Sequence, residues 1–105
     1  MSTVSIKQGL TPTITFQLPQ GTDTSLFRNV YFALRQRSVL IIVDSTGITI
    51  DGVNISVLLP QEETIKLTKG KALISLDWTY PNNLRGGTEN IEIPVDENLI
   101  GVVLE

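Results

Sequence analysis

The apolar residues of this chain recur mainly at every second position, which is the period of a β-strand with one buried face. Ile14, Phe16 and Leu18 alternate with polar residues in this way, and Pro12 precedes them at a position that suits the start of a strand. The same alternation predicts short strands at residues 4–7, 30–35, 48–50, 53–59, 72–79 and 91–95. The apolar residues 99–104 are predicted to form a last strand.

One segment departs from this alternation. Val39, Leu40, Ile41, Ile42 and Val43 are consecutive apolar residues, so any strand that they form carries apolar side chains on both faces. One face can pack on the core of the domain, whereas the other face needs a cover. That cover can come from the same chain or from a partner, and the sequence leaves both alternatives open.

Turn-forming residues separate the predicted strands. A turn is predicted at residues 44–47, a hairpin at Asp51 and Gly52, and a flexible loop at residues 81–87. Pro60 and the acidic residues after it predict one short helical turn near residues 60–67, which Gly70 is expected to close. About seven to nine short strands at this spacing are typical of an immunoglobulin-like antiparallel β-sandwich. We therefore expect a single all-β domain over residues 1–105.

The composition excludes several kinds of chemistry. The 105 residues include no Cys and no His, which excludes disulfides, thiol nucleophiles, imidazole metal ligands and Ser-His or Cys-His catalytic pairs. The acidic pairs are typical of solvated surfaces, so we expect no enzyme activity and no cofactor. The net charge of −3 has the wrong sign for a nucleic-acid partner. Neither a signal peptide nor a membrane-spanning segment is predicted.

A calcium site is one candidate, but the residues that suggest it also have a conformational explanation. Asp44, Asp51 and Asn54 carry the oxygen ligands that Ca²⁺ prefers. The same residue types are favoured in tight turns for conformational reasons, and the spacing of a calcium-binding loop is missing. We therefore assign these residues to turns and expect no metal.

A ligand-contact site is a second candidate. Tyr80, Asn82, Asn83 and Arg85 lie close together in sequence, and exposed aromatic and amide side chains can hold sugars by stacking and hydrogen bonding. Trp78 lies near them but continues the buried alternation of its strand, so we expect it in the core. A carbohydrate- or cell-surface-binding module is the alternative function that these residues suggest.

A protein interface is the third candidate, at the apolar run of residues 39–43. Arg35 and Arg37 precede this run, and such charges can protect an apolar strand from aggregation during folding. They can equally form the polar rim of an interface whose centre is Val39, Leu40, Ile41, Ile42 and Val43. We take this interface as the first hypothesis, with other proteins and copies of this chain as the partners.

Two segments and a strand end carry a resemblance to a known family. They are residues 6–13 (IKQGLTPT), residues 59–67 (LPQEETIKL), and Gly70 followed by the strand that ends in Asp77 and Trp78. In these segments the chain resembles small β-sandwich virion proteins of tailed phages and prophages of Gram-positive bacteria. It is similar in the same way to the N-terminal domain of phage baseplate upper proteins. The chain departs from the family pattern at Pro60, where Thr is usual, and at Leu10, where Asp is frequent.

The resemblance implies a non-enzymatic virion component of the tail, baseplate or head surface. Such a protein is made in the host cytoplasm and works by repeated contacts with other virion proteins and with its own copies. Symmetry then multiplies a modest interface into a stable assembly. The resemblance implies no catalytic residue, so neither departure from the pattern affects one.

Overall fold

In the computed structural model, which describes residues 6–7 and 9–98, the chain forms nine strands and one short helix. The strands are β1 Ile6–Lys7, β2 Thr13–Gln17, β3 Asn29–Gln36, β4 Val39–Val43, β5 Ile48–Asp51, β6 Asn54–Leu58, β7 Gly70–Thr79, β8 Arg85–Gly87 and β9 Ile91–Asp96. The helix, α1, spans Gln61–Thr64, and 3-10 turns lie at Thr24–Leu26 and Ser45–Gly47. The predicted strand at residues 99–104 lies outside the described residues.

The strands form two sheets. The larger sheet has the order β1-β9-β7-β3-β4, with β8 also paired to β7, and the smaller sheet has the order β2-β6-β5. The pairing of β1 with β9 is parallel, and the other described pairs are antiparallel. The chain crosses between the sheets after β1, β2, β4 and β6, and the other consecutive strands lie within one sheet, as in immunoglobulin-like sandwiches. The predicted fold class is confirmed.

The core lies between the two sheets and is filled by alternate side chains of each. Phe16 of the smaller sheet meets Phe32 of the larger sheet edge to face, with ring centroids 6.1 Å apart. The buried set is the one that the period-2 pattern predicts for β2, β3, β6 and β7. It includes Trp78, which is 8% exposed and therefore a core residue as expected.

Two features near α1 differ from the sequence-based expectation, and β8 lies within the predicted loop at residues 81–87. Pro60 is the N-cap of α1 rather than its first residue, and the helix ends at Thr64, before the expected end near residue 67. Gly70 has φ of 143° and begins β7, so it does not cap the helix in the left-handed conformation near φ of 57°. The helical turn itself lies where it is predicted.

The chain around Leu10 and the chain around α1 lie in contact. The Thr64 hydroxyl is fully buried and donates a hydrogen bond to the Leu10 carbonyl at 2.7 Å. The Leu59 backbone N–H donates to the Pro12 carbonyl at 3.0 Å. These bonds attach α1 to the chain that leads into β2, so the two segments form one structural unit.

Candidate interaction surface

The outer faces of the two sheets differ in polarity. On the smaller sheet the outward side chains of β2 and β6 are mostly polar, and Thr15 and Ser56 are hydrogen-bonded to each other at 3.1 Å. Leu58 is the exposed apolar residue of those two strands. The outer face of the larger sheet instead exposes four large apolar or aromatic residues, which we call the outer patch: Tyr31, Leu40, Ile42 and Leu73, with exposed fractions of 41%, 59%, 62% and 42%.

Strand register places the members of the outer patch on three adjacent strands, with Arg35 between two of them. Ala33 of β3 is paired with Ile42 of β4, and Arg35 lies between Leu40 on one side and Leu73 of β7 on the other. Side chains on directly paired residues of one face are in contact range. This surface also has a shallow groove of ≈ 390 Å³, which lies between Tyr31, Ile42 and the neighbouring β7 residues.

Charged residues form the rim of the outer patch. Lys71 and Glu92 are paired at 3.1 Å on one side, and Arg85 is paired with Asp77 on the other. The hydrogen bond and the charge of Asp77 raise the pKa of Arg85. Arg35 is exposed within the patch and has no ion-pair partner among the described residues. An apolar centre with a polar rim is the usual composition of a protein interface.

The structure divides the predicted interface residues between two environments. Leu40 and Ile42 point outward, whereas Ile41 is 1% exposed and belongs to the core. Val39 and Val43 are half-buried and pack against that core. The hypothesis of five contact residues is therefore wrong for Ile41, because alternate residues of a strand point to opposite faces. Ile41 cannot contact a partner on the outer face.

Two residues of the surface were not assigned to it from sequence. Tyr31 and Leu73 point outward in the alternation of their strands, which the sequence does show. Their proximity to Leu40 and Ile42 depends on the order β7-β3-β4, which no local pattern specifies. The apolar run predicts Leu40 and Ile42 at the edge of the surface, whereas strand pairing adds Tyr31 and Leu73.

The predicted ligand-contact residues do not form one site. The Tyr80 ring is half-buried, its hydroxyl accepts a hydrogen bond from Trp78 Nε1 at 2.9 Å, and its ring packs against Phe27. Asn82 and Asn83 are exposed at the tip of the β7–β8 hairpin, where Asn83 has φ of 62°. Arg85 is engaged with Asp77 on the larger sheet.

The turn assignment of the acidic residues has a structural basis at Asp44. Its carboxylate caps the 3-10 turn by accepting hydrogen bonds from the Thr46 N–H at 3.1 Å and the Thr46 hydroxyl at 2.6 Å. These bonds lower the pKa of Asp44 below its ordinary value. Across residues 6–7 and 9–98, no group of three acidic side chains is placed to hold a metal ion.

Comparisons with known proteins do not assign the chain to a family. No protein-family model matches the chain, and no curated protein matches it in sequence. In the described part of the chain, no helix has the length and apolar character needed to cross a membrane.

Proposed function

We propose that this protein works by assembly: its outer patch docks on another protein, and no chemical step takes place at that surface. The observation that carries the proposal is the difference in polarity between the two outer faces. Single exposed apolar residues are ordinary, whereas a contiguous apolar patch with a polar rim marks an interaction site. Tyr31, Leu40 and Ile42 form such a patch, and Leu73 lies across Arg35 from Leu40, while the opposite face of the sandwich is mostly polar.

The assembly that we propose is a virion of a tailed phage. The support is the resemblance of residues 6–13 and 59–67 to small virion proteins, together with the contacts that join these segments around Thr64. A single contact through one small patch gives only weak binding. Repetition around a symmetric ring or along a particle multiplies that contact into a stable structure.

A carbohydrate-binding function has weaker support. Stacking on a sugar requires an exposed aromatic face, and the Tyr80 ring is half-buried, with its hydroxyl bonded to Trp78. The amide side chains of Asn82 and Asn83 lie at the hairpin tip without an exposed aromatic residue of the predicted set beside them. The outer patch is thus the better-supported contact surface.

The test is incorporation of the protein into phage particles. The double variant Leu40→Lys, Ile42→Lys places two charges in the centre of the outer patch. Both side chains are about 60% exposed, so the domain is expected to fold. The matched control, Thr15→Lys with Ser56→Lys, introduces the same charges on the outer face of the smaller sheet.

Wild-type protein and the control are expected in purified particles at a small, symmetric copy number, measured by mass spectrometry against the major capsid protein. The outer-patch variant should be reduced roughly ten-fold or more, because a charge in an apolar interface is costly when it has no partner. Absence of the wild-type protein from particles, or normal incorporation of a folded outer-patch variant, would contradict the proposal.

A further inference from the structure

A recess with basic walls, which we call the basic recess, lies at the end of the larger sheet where β3 turns into β4 and β7 begins. It has a volume of ≈ 300 Å³, and the charged residues that line it are Arg35, Arg37, Lys71 and Glu92. Three cations thus surround one carboxylate in a chain whose net charge is −3. The local charge is opposite in sign to that of the whole molecule.

Strand pairing brings these side chains to one face of the sheet. Arg35 of β3 is opposite Leu73 of β7, and Leu73 is opposite Glu92 of β9. The same register, continued by two residues, places Arg37 beside Lys71. The cations therefore converge from two strands, although they are far apart in sequence.

The basic recess carries an excess of positive charge. Lys71 is paired with Glu92 at 3.1 Å, but both side chains are more than half exposed, so this ion pair is weak. Asp96, the next outward carboxylate of β9, lines a different recess. Arg35 and Arg37 are exposed and have no ion-pair partner in the described part of the chain. Both guanidinium groups are therefore available to a carboxylate from outside the chain, each with up to two parallel hydrogen bonds.

A buried side chain fixes the backbone around the basic recess. Gln36 is 5% exposed, its Nε2 donates to the Thr68 carbonyl at 2.7 Å, and its Oε1 accepts from the Thr68 N–H at 2.8 Å. These two bonds join the end of β3 to the segment that leads into β7. The arginines on either side of Gln36 are thus attached to a backbone that is ordered before a partner binds, which lowers the entropic cost of binding.

The conformation of Arg37 is a second indication. Arg37 lies in the two-residue turn between β3 and β4 and has φ of 54°, in the left-handed region that favours Gly, Asn and Asp. An arginine at this position is less favourable than an asparagine. Strain of this kind at an exposed residue points to a function for its side chain.

The surroundings of the basic recess favour a protein segment over a polyanion as its occupant. Arg35 lies between Leu40 and Leu73, which are 59% and 42% exposed. A segment with acidic and apolar side chains buries these leucines and neutralises the arginines at the same time. A nucleic acid or a polyphosphate makes no use of the leucines, and the net charge of −3 opposes its approach.

We propose that the basic recess binds an acidic segment of the partner protein, whose carboxylates are held by Arg35 and Arg37 and whose apolar side chains pack on Leu40 and Leu73. The inference rests on the proposed function and specifies the chemistry of the partner that meets the outer patch. The charges select the partner, and the apolar contacts add affinity.

The probe for this proposal is a synthetic acidic peptide with alternating apolar residues, acetyl-Asp-Leu-Asp-Leu-Asp-amide. Its titration into the isotopically labelled chain, followed by amide NMR, gives both the Kd and the residues that it contacts. We expect shifts centred on residues 35–40 and 71–73, with a Kd below about 5 mM at low salt. A peptide with Lys in place of each Asp should bind roughly ten-fold more weakly. Raising the ionic strength from about 0.05 M to about 0.5 M should weaken binding of the acidic peptide several-fold.

Charge-removing variants locate the binding to the basic recess. Arg35→Gln with Arg37→Asn removes both unpaired charges, and asparagine suits the left-handed backbone at position 37. This double variant should raise the Kd of the acidic peptide roughly ten-fold. The matched control, Lys7→Gln with Arg28→Gln, removes two exposed positive charges that do not line the recess and should leave the Kd within about two-fold.

Three results would overturn the inference. The first is a Kd for the acidic peptide above about 5 mM, or equal to that of the lysine peptide. The second is unchanged binding by the folded Arg35→Gln, Arg37→Asn variant. The third is equal binding of a peptide with Ser in place of each Leu, together with tighter binding of inorganic polyphosphate at the same residues, which would identify a polyanion site instead.

Particle incorporation separates this inference from the proposed function. Reduced incorporation of the Arg35→Gln, Arg37→Asn variant, with normal incorporation of its control, would support both. Normal incorporation of that variant and loss of Leu40→Lys, Ile42→Lys would refute the role of the basic recess and leave the proposed function standing. A wild-type chain that binds the acidic peptide at the recess but is absent from particles would support the recess and contradict the virion assembly.

Discussion

Gly86 lies directly against the Trp78 indole where β8 pairs with β7. A Cβ at this position would be 2.4 Å from Trp78 Nε1. That nitrogen donates to the Tyr80 hydroxyl, and Phe27 stacks on the same indole at a centroid distance of 4.5 Å. The absence of a side chain at Gly86 therefore allows the whole aromatic cluster to close.

Gly86→Ala is expected to displace the indole and to destabilise the fold by roughly 1–3 kcal/mol, the usual cost of overpacking. Denaturant unfolding measures the loss, and Trp78, as the single Trp, reports its own displacement by fluorescence. Asn82→Ala at the exposed hairpin tip is the control and should change stability by no more than about 0.5 kcal/mol. Equal stabilities for the two variants would contradict this account of Gly86.

At the level of elements, α1 is too short to be stable by itself and depends on its contacts. Thr64 supplies one of them, because its fully buried hydroxyl binds the Leu10 carbonyl. A buried tertiary hydrogen bond thus gives this helix residue a structural role.

Thr64→Val preserves shape but leaves the Leu10 carbonyl without this donor. We expect a loss of about 1–2 kcal/mol in the free energy of unfolding. Glu62→Gln, on the exposed side of the same helix, should change it by less than about 0.5 kcal/mol. Chemical denaturation measures the free energy of unfolding of both variants. An unchanged value for Thr64→Val would show that the hydrogen bond to Leu10 does not hold α1 in place.

The sequence predicts those elements whose pattern is local. Alternation identifies β2, β3, β6 and β7 because each buries one face. It misses β8, whose residues Arg-Gly-Gly have no apolar alternation and become a strand only by pairing with β7. The apolar run predicts a contact surface, but Tyr31 and Leu73 join that surface only through the order of the strands.

At the scale of the whole molecule, the net charge acts against association between copies. Each copy carries −3 at neutral pH, so two copies repel each other in general. Lowering the pH toward the isoelectric point near 4.8 removes this repulsion.

Asp44 keeps its charge through that range because the Thr46 hydrogen bonds lower its pKa below 3.8. The stabilisation that these hydrogen bonds give is therefore present above the ordinary pKa and is lost as the pH falls through the lowered one. We expect the free energy of unfolding to decrease in strong acid, below about pH 4, and to decrease less in Asp44→Asn, whose amide oxygen can still accept the bonds but does not titrate. Denaturant unfolding of both proteins at several pH values measures this difference. An equal acid decrease in the two proteins would show that the charge of Asp44 does not strengthen the cap.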